Sequence, residues 1–361
     1  MDIHSQTVAW FITPHGFGHA ARSTAAMLAL EKLVPVHFHI FTRVPEWFFR
    51  ESHLVNFTYH DCLTDIGLVQ KTSLDEDLPA TIRRLSGFYP IDPGLISQLS
   101  KEISVLGCRC IVCDIAPMGL AVAEESGLPS ILIENFTWDW IYAGYSTESG
   151  FDKYIKILSE WFSRATDHIQ TQPVCAPGLP KLTTSPVSRP VLTPRNKIRQ
   201  QLDIPQDSSA VLITMGGIET AFDYLLSLEH WDEYYFIIPG GSDRAIFKQN
   251  LRLLPHHSGF YHPDLVAASD AIIGKLGYST LSEASTAGIP YGFIPRNSFR
   301  ESVPLTAYVA QNMSGLEISE TDYARGSWLH RLPDLLSQPT KDPPRVNGAD
   351  QIAHWLLRYL L

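Results

Sequence analysis

Gly274–Pro290, GKLGYSTLSEASTAGIP, follows the short apolar run Ala271-Ile272-Ile273, and its reading decides the fold. The apolar run reads as a strand, the glycine-bracketed turn carries a single lysine, and a helical pattern opens at Ser279 or Thr280. A helix start has unpaired N–H groups and a partial positive charge, so it attracts anions. Gly274 and Gly277 are expected to let the backbone approach a ligand, and Lys275 adds a cation. Glu283 falls one turn in, facing the same mouth. Phosphates at the helix start and a carboxylate for ribose hydroxyls suit a nucleotide diphosphate. Thr280-Leu-Ser-Glu283 also fits a capping box, in which the glutamate only closes the helix end.

Working outward, the same strand–turn–helix rhythm recurs on both sides. Thr7–Thr13 reads as a buried strand, Pro14–His19 as a glycine turn, and Ala20–Lys32 as a helix. Strands follow at Val36–Thr42, Phe57–His60, Gly107–Cys113, Pro129–Glu134 and Asp167–Thr171. Residues 61–100 look irregular, and Asp75-Glu76-Asp77 reads as a solvated loop. Residues 171–195 hold six prolines and read as the connection between two domains. Beyond it the rhythm restarts, with Met215-Gly216-Gly217 and Pro239-Gly240-Gly241 as strand-end turns and Ala349–Leu361 as a last helix. Open parallel sheets bind ligands beyond the carboxyl ends of their strands. Two such sheets face to face would place residues 14–19 opposite 215–217 and 274–283.

Composition narrows the function classes. At 361 residues, a prior of roughly 150 per domain gives two domains. The net charge of −10, with no basic block, argues against a nucleic-acid or anionic-membrane partner. No apolar run reaches the roughly 20 residues of a membrane helix, and no signal peptide is read. The odd cysteine count of five points to reduced thiols and a cytoplasmic protein. Cys108, Cys110 and Cys113 lie in a strand with no second ligand pair, so they are expected as buried core and not as metal ligands.

Individual residues carry the chemistry. Gly16-Phe-Gly18-His-Ala-Ala21 matches the dinucleotide fingerprint. The acidic residue expected at the end of the second strand is replaced by Arg43, which keeps an NADP-dependent oxidoreductase open. His19, at the start of the first helix, suits a general base as well as a structural histidine. Asp114 closes a strand at the same edge, either to orient His19 or to cap the next helix. Asp139, within Thr137-Trp-Asp-Trp140, either contacts a polar acceptor or packs with its tryptophans.

Together these residues resemble the GT-B glycosyltransferases, in particular the UDP-sugar-dependent group containing the lipid II-forming enzyme MurG. His15-Gly-Phe-Gly-His19 is similar to that group's N-terminal turn, and Thr214–Gly217 with Gly274–Pro290 to its donor site. A closer resemblance is to the glycosyltransferase-like N-terminal region of L-arabinokinases and its stand-alone bacterial relatives. Asp65-Ile-Gly-Leu-Val-Gln70, Asn135–Tyr142 and Gly274–Tyr278 carry it. No kinase domain is read in the chain.

The resemblance implies an α/β GT-B fold, with two Rossmann-like domains facing across a cleft. The expected spans are 1–180 for the acceptor side and 186–345 for the donor side, with 346–361 as a helix crossing back to the first. It implies inverting transfer from a nucleotide-diphosphate sugar, UDP-linked, to a soluble acceptor hydroxyl, with no metal or other cofactor. His19 would be the base, supported by Asp114. Gly18, Gly216, Gly217, Phe260, Lys275, Gly277, Ser279, Thr280, Glu283, Arg300 and Glu301 would hold the donor. His15, Phe17, Asn135 and Asp139 would face the acceptor. The usual sugar-contacting pair is replaced around Asn297–Pro304, and no large apolar patch suits a lipid acceptor. A non-catalytic nucleotide-sugar-binding module, or an epimerase or hydrolase on the same fold, are the alternatives.

Overall fold

β-Branched and aromatic runs bounded by glycine and proline build two parallel sheets in the computed structural model, which describes residues 6–72, 74–145, 150–216, 225–339 and 341–361. The N-terminal sheet contains β1 (Gln6–Ile12), β2 (Val36–Thr42), β3 (Phe57–Asp61), β4 (Cys110–Asp114), β5 (Ser130–Glu134), β6 (Asp167–Thr171) and β7 (Leu182–Thr184). Their order is β3-β2-β1-β4-β5-β6-β7, and every pair is parallel. The second sheet contains β8 (Ser209–Thr214), β9 (Tyr234–Pro239), β10 (Ile246–Lys248), β11 (Leu251–Leu254), β12 (Ala271–Lys275), β13 (Tyr291–Ile294) and β14 (Gly315–Glu317). Its order is β10-β11-β9-β8-β12-β13-β14, with only the edge pair β10–β11 antiparallel among the described residues.

Helices cover both faces of each sheet. In chain order they are α1 (Phe17–Glu31), α2 (Glu46–Glu51), α3 (Leu78–Phe88), α4 (Pro93–Val105), α5 (Pro117–Ser126), α6 (Trp138–Ala143), α7 (Asp152–Phe162) and α8 (Arg195–Gln201). They continue as α9 (Leu225–Leu228), α10 (His262–Ala268), α11 (Tyr278–Ala287), α12 (Ser302–Asn312), α13 (Glu320–Arg325), α14 (Leu332–Leu336) and α15 (Gly348–Leu360). Helices α3 and α4 occupy the stretch read as irregular. Asp77 caps α3 by accepting from the Ala80 N–H at 2.9 Å, and Asp92 caps α4 from the Gly94 N–H at 2.9 Å. Each cap is followed within two residues by a proline, the usual punctuation of a helix start.

Two further departures have local causes. The proline-rich connection contains β7, a three-residue edge strand, where missing N–H donors are tolerated. Glu76, read as solvated, has a side chain only 3% exposed and faces Arg296 of the other domain. The cysteines Cys108, Cys110 and Cys113 are buried, as expected. Cys110 packs into one core and Cys113 into the core on the opposite face, so β4's alternation separates them.

The last helix, α15, puts Ile352, Ala353, Leu356 and Leu360 into the N-terminal core beside Ala26 and Leu30 of α1. Asn347 caps it and also donates to the Ser188 carbonyl at 2.8 Å, fixing the return of the chain. No helix among the described residues is long and apolar enough to cross a membrane.

In both sheets the strand order reverses beside the first strand, at β1/β4 and at β8/β12. Those reversals leave crevices at the carboxyl ends of the strands, where open sheets bind ligands. The loops after β1, β3, β5, β8 and β12 all line one space.

Candidate active site

That space is a cleft of about 880 Å³ lined by both domains. On one wall, β1 ends at Ile12 and α1 opens at Phe17 behind Gly16, whose φ of 70° requires glycine. The helix begins three residues earlier than the sequence suggests, and so His19 stands in its first turn. Asp114 ends β4, paired in register with Ile12. Ile115 follows at φ 41°, a strained value for a β-branched residue that turns the chain sharply behind the carboxylate.

His19 Nδ1 lies 2.8 Å from Asp114 Oδ1. Arg22, one turn further along α1, donates to the same carboxylate from Nε at 2.8 Å and from Nη2 at 2.6 Å. Ser23 adds a third donor at 3.1 Å. Burial alone would push the Asp114 carboxyl up. The Arg22 charge, and hydrogen bonds from Arg22 and His19, outweigh burial and hold it below the usual carboxylate range. An ionised carboxylate only accepts, so His19 donates to it from Nδ1, and Nε2 is the ring nitrogen left over. Asp114 therefore orients His19; no side chain caps α5, which starts at Pro117 behind Ala116.

The opposite wall is the start of α11. Its N-cap is Gly277, with no side-chain cap, so the first-turn N–H groups stay available. Lys275 stands just before it, beside Gly216, whose φ is 73°. Burial, then the Arg296 charge, pull Lys275 down to about 7, against Glu301 and Glu76. The walls approach closely: a Cβ on Gly18 would lie 3.6 Å from Ser279 Oγ. Gly18, Gly216, Lys275, Gly277, Ser279, Thr280, Glu301, His15, Phe17 and Asn135 all line this cleft together with His19. His15 packs edge-on against Trp138 at 4.9 Å; burial, then the neighbouring His19, Arg296 and Lys275, push it well below the usual histidine range.

Several expected residues stand elsewhere. Gly274 does not meet a ligand: a Cβ there would fall 1.9 Å from the Thr214 carbonyl oxygen, so glycine is needed for β12 to pass β8. Arg300 lies on the surface, donating to the Trp140 carbonyl at 2.7 Å and stacking 4.1 Å over the Trp140 ring. Asp139 sits in the first turn of α6, whose inward face is Trp138, Ile141 and Tyr142, and lines neither cavity. Gly217 lies outside the described residues.

Glu283 and Phe260 line a smaller adjoining cavity of about 100 Å³. Glu283 does not cap its helix. Its Oε1 accepts from Arg189 Nη2 at 3.0 Å and its Oε2 pairs with His262 Nδ1 at 2.7 Å. Burial opposes its charge, but Arg189 and His262 prevail and hold Glu283 below the usual range. The Arg189 guanidinium lies between the rings of Phe48, 4.9 Å away, and Tyr261, 5.1 Å away, and donates to Ser52 at 3.1 Å. Helix α2 thus covers the surface expected to take a ribose.

Sequence reasoning passed over four groups. Arg22 had a signal, a charged residue on the buried face of an alanine-rich helix. Asp65, within a quoted motif, is 1% exposed and accepts from Tyr89 at 3.1 Å and Thr13 at 3.2 Å, and burial pushes it up to about 7. Arg189, in the proline-rich connection, and Arg296, in a polar loop, gave no periodic signal.

No family model matches the chain. Over 355 residues, 96% of its length, the chain is 27% identical to an L-arabinokinase of Arabidopsis thaliana. It spans 34% of that curated relative's length. The fold is similar to that of Acinetobacter baumannii MurG, at 14% identity and TM-score 0.56, covering 98% of this chain and 99% of that one. It is also similar to a UDP-glucosyltransferase from Polygonum tinctorium capable of glucosylating indoxyl, at 12% identity and TM-score 0.63, covering 99% of each chain. The two switch-point crevices and these likenesses lead to one conclusion: the chain has the GT-B fold, two Rossmann-like domains across a cleft.

Proposed function

We propose that this protein is an inverting glycosyltransferase that moves a sugar from a nucleotide-diphosphate sugar, UDP-linked, to a hydroxyl of a non-lipid acceptor. The observation that carries the reading is the oriented His19–Asp114 pair directly across the cleft from the uncapped start of α11. His19 Nε2 accepts the proton of the acceptor hydroxyl as its oxygen attacks the anomeric carbon. The anomeric C–O bond to the diphosphate breaks on the opposite face, and the electron pair leaves with the β-phosphate oxygen. The α11 N–H groups and Lys275 stabilise that charge, and Asp114 stabilises the imidazolium.

Calorimetric titration with UDP, GDP, TDP and NADPH tests the donor assignment. Selective binding of UDP, lost in Glu283→Ala, is the expected result. Selective binding of NADPH would move the protein to dinucleotide chemistry. The alternative reading is a nucleotide-sugar-binding module without turnover. That reading predicts UDP binding without sugar release.

A further inference from the structure

Arg22 is 1% exposed and stands one turn along α1 from His19. Its guanidinium is fixed on three sides. Nε donates to Asp114 Oδ2 at 2.8 Å, Nη1 donates to Asn135 Oδ1 at 2.7 Å, and Cζ lies 5.0 Å from the Tyr278 ring of α11. Asn135 is held in turn, donating to Glu301 Oε1 of the other domain at 2.9 Å. The remaining nitrogen, Nη2, donates to Asp114 Oδ1 at 2.6 Å, the same oxygen that His19 Nδ1 reaches at 2.8 Å. Nη2 also stands 3.2 Å from His19 Nδ1 itself.

The shared oxygen changes what the carboxylate does to the histidine. A carboxylate paired with a histidine alone favours the imidazolium, and an imidazole already protonated on both nitrogens accepts no proton from a hydroxyl. Here a guanidinium spans both oxygens of Asp114. An added proton on His19 would set two cations 3.2 Å apart on one carboxylate. Placed on the carboxyl instead, it would donate to Nδ1 and leave the imidazole proton on Nε2. Both placements occupy Nε2, and they are one titration of the pair.

The other ionisable groups around the pair lack this contact. His15 of the β1–α1 turn interacts with His19, and Lys275 and Arg296 face His15 from the opposite wall. Cys113 precedes Asp114 in β4, while Glu134 of β5 and Tyr278 of α11 bear on Arg22. Phe136 and Trp138 contribute rings. Among the described residues, Arg22 is the one permanent cation bonded to Asp114.

We infer that Arg22 is a positioning residue for the base: by sharing Asp114 Oδ1 with His19, it holds the pair to the single proton on Nδ1 and keeps Nε2 open to a hydroxyl. The inference rests on His19 as the base of the proposed reaction, but its test needs no substrate. The His19 ring signals, assigned by their loss in His19→Ala, are followed by NMR through a pH titration of the free full chain, of Arg22→Gln and of Arg22→Lys. The expected midpoint of proton uptake is about 1–3 pH units higher in Arg22→Gln than in the parent. Arg22→Lys, which keeps the charge but cannot span both oxygens, should show a smaller rise. The acid limb of UDP release from UDP-sugars should move by the same amounts.

A parental midpoint in Arg22→Gln overturns the inference and leaves the transferase reading standing. Should Arg22→Gln fail to fold, the lysine variant decides, and a parental midpoint there overturns it. A raised midpoint in the variants, beside a parent chain that releases no UDP, supports the role of Arg22 in the pair and overturns the transferase reading.

Discussion

Arg189 Nη2 donates to Glu283 Oε1 at 3.0 Å, so the carboxylate expected to meet a ribose is already paired inside the protein. A nucleoside reaches Glu283 only if Arg189 yields it. The adjoining cavity of about 100 Å³ is also small beside the roughly 300 Å³ at which ligand pockets begin. On the proposed donor reading, a nucleoside at Glu283 has to compete with the Arg189 side chain and make room beside α2.

Arg189→Ala separates the structural from the ligand role of this pair. Both side chains are under a tenth exposed, and removing one partner of a buried pair costs about 3 kcal/mol. Urea unfolding should show that loss, while UDP affinity holds or rises because Glu283 is released. A parallel fall in UDP affinity would mean that Arg189 itself contacts the nucleotide.

Lys275 gives the donor site a pH signature. Its value of about 7 in the free protein rises when a diphosphate arrives, so binding above pH 7 takes up a proton. Affinity for UDP should fall between pH 7.5 and 9, where UDP itself no longer titrates (its last phosphate pKa being about 6). Calorimetry in buffers of different ionisation enthalpy reads the uptake directly, and Lys275→Met should remove both the uptake and the slope.

Asp65 gives the opposite wall a stability signature. Its folded value of about 7 lies above its unfolded value of 3.8, so the folded protein binds the extra proton between them. Stability from this group is greatest below the unfolded value and declines as pH rises toward 7. Asp65→Asn should therefore gain stability relative to the parent at pH 8 and lose that gain by pH 4. Thermal unfolding at the two pH values checks this; a constant difference would mean that folding leaves the Asp65 value unraised.

How much of this was legible depends on the range of each interaction. The β12–α11 unit, the Pro14–His19 turn and Asp114 follow local rules of strand, glycine turn and helix, and they stand in the sequence as they stand in the cleft. The Asp77 and Asp92 caps are equally local, each followed by its proline, so the starts of α3 and α4 are legible in the sequence as well. Arg189 and Arg296 are different. Their partners, Glu283 and the pair Glu76 and Glu301, lie in sequence-distant elements, and neither arginine sits on a periodic face. Glu283 stands in the expected element, and its partners Arg189 and His262 come from sequence-distant segments for the same reason. Arg300 and Asp139 were drawn in by motif position alone, whereas helix α6 and the Trp140 carbonyl hold them outside the cleft.

The most direct test of the account compares the parent protein with His19→Ala in two readouts, UDP affinity by calorimetry and UDP release from UDP-sugars with an acceptor panel. The account predicts release slower by about 10²–10⁴-fold in His19→Ala, with UDP affinity unchanged. Release at the parental rate in that variant would contradict it.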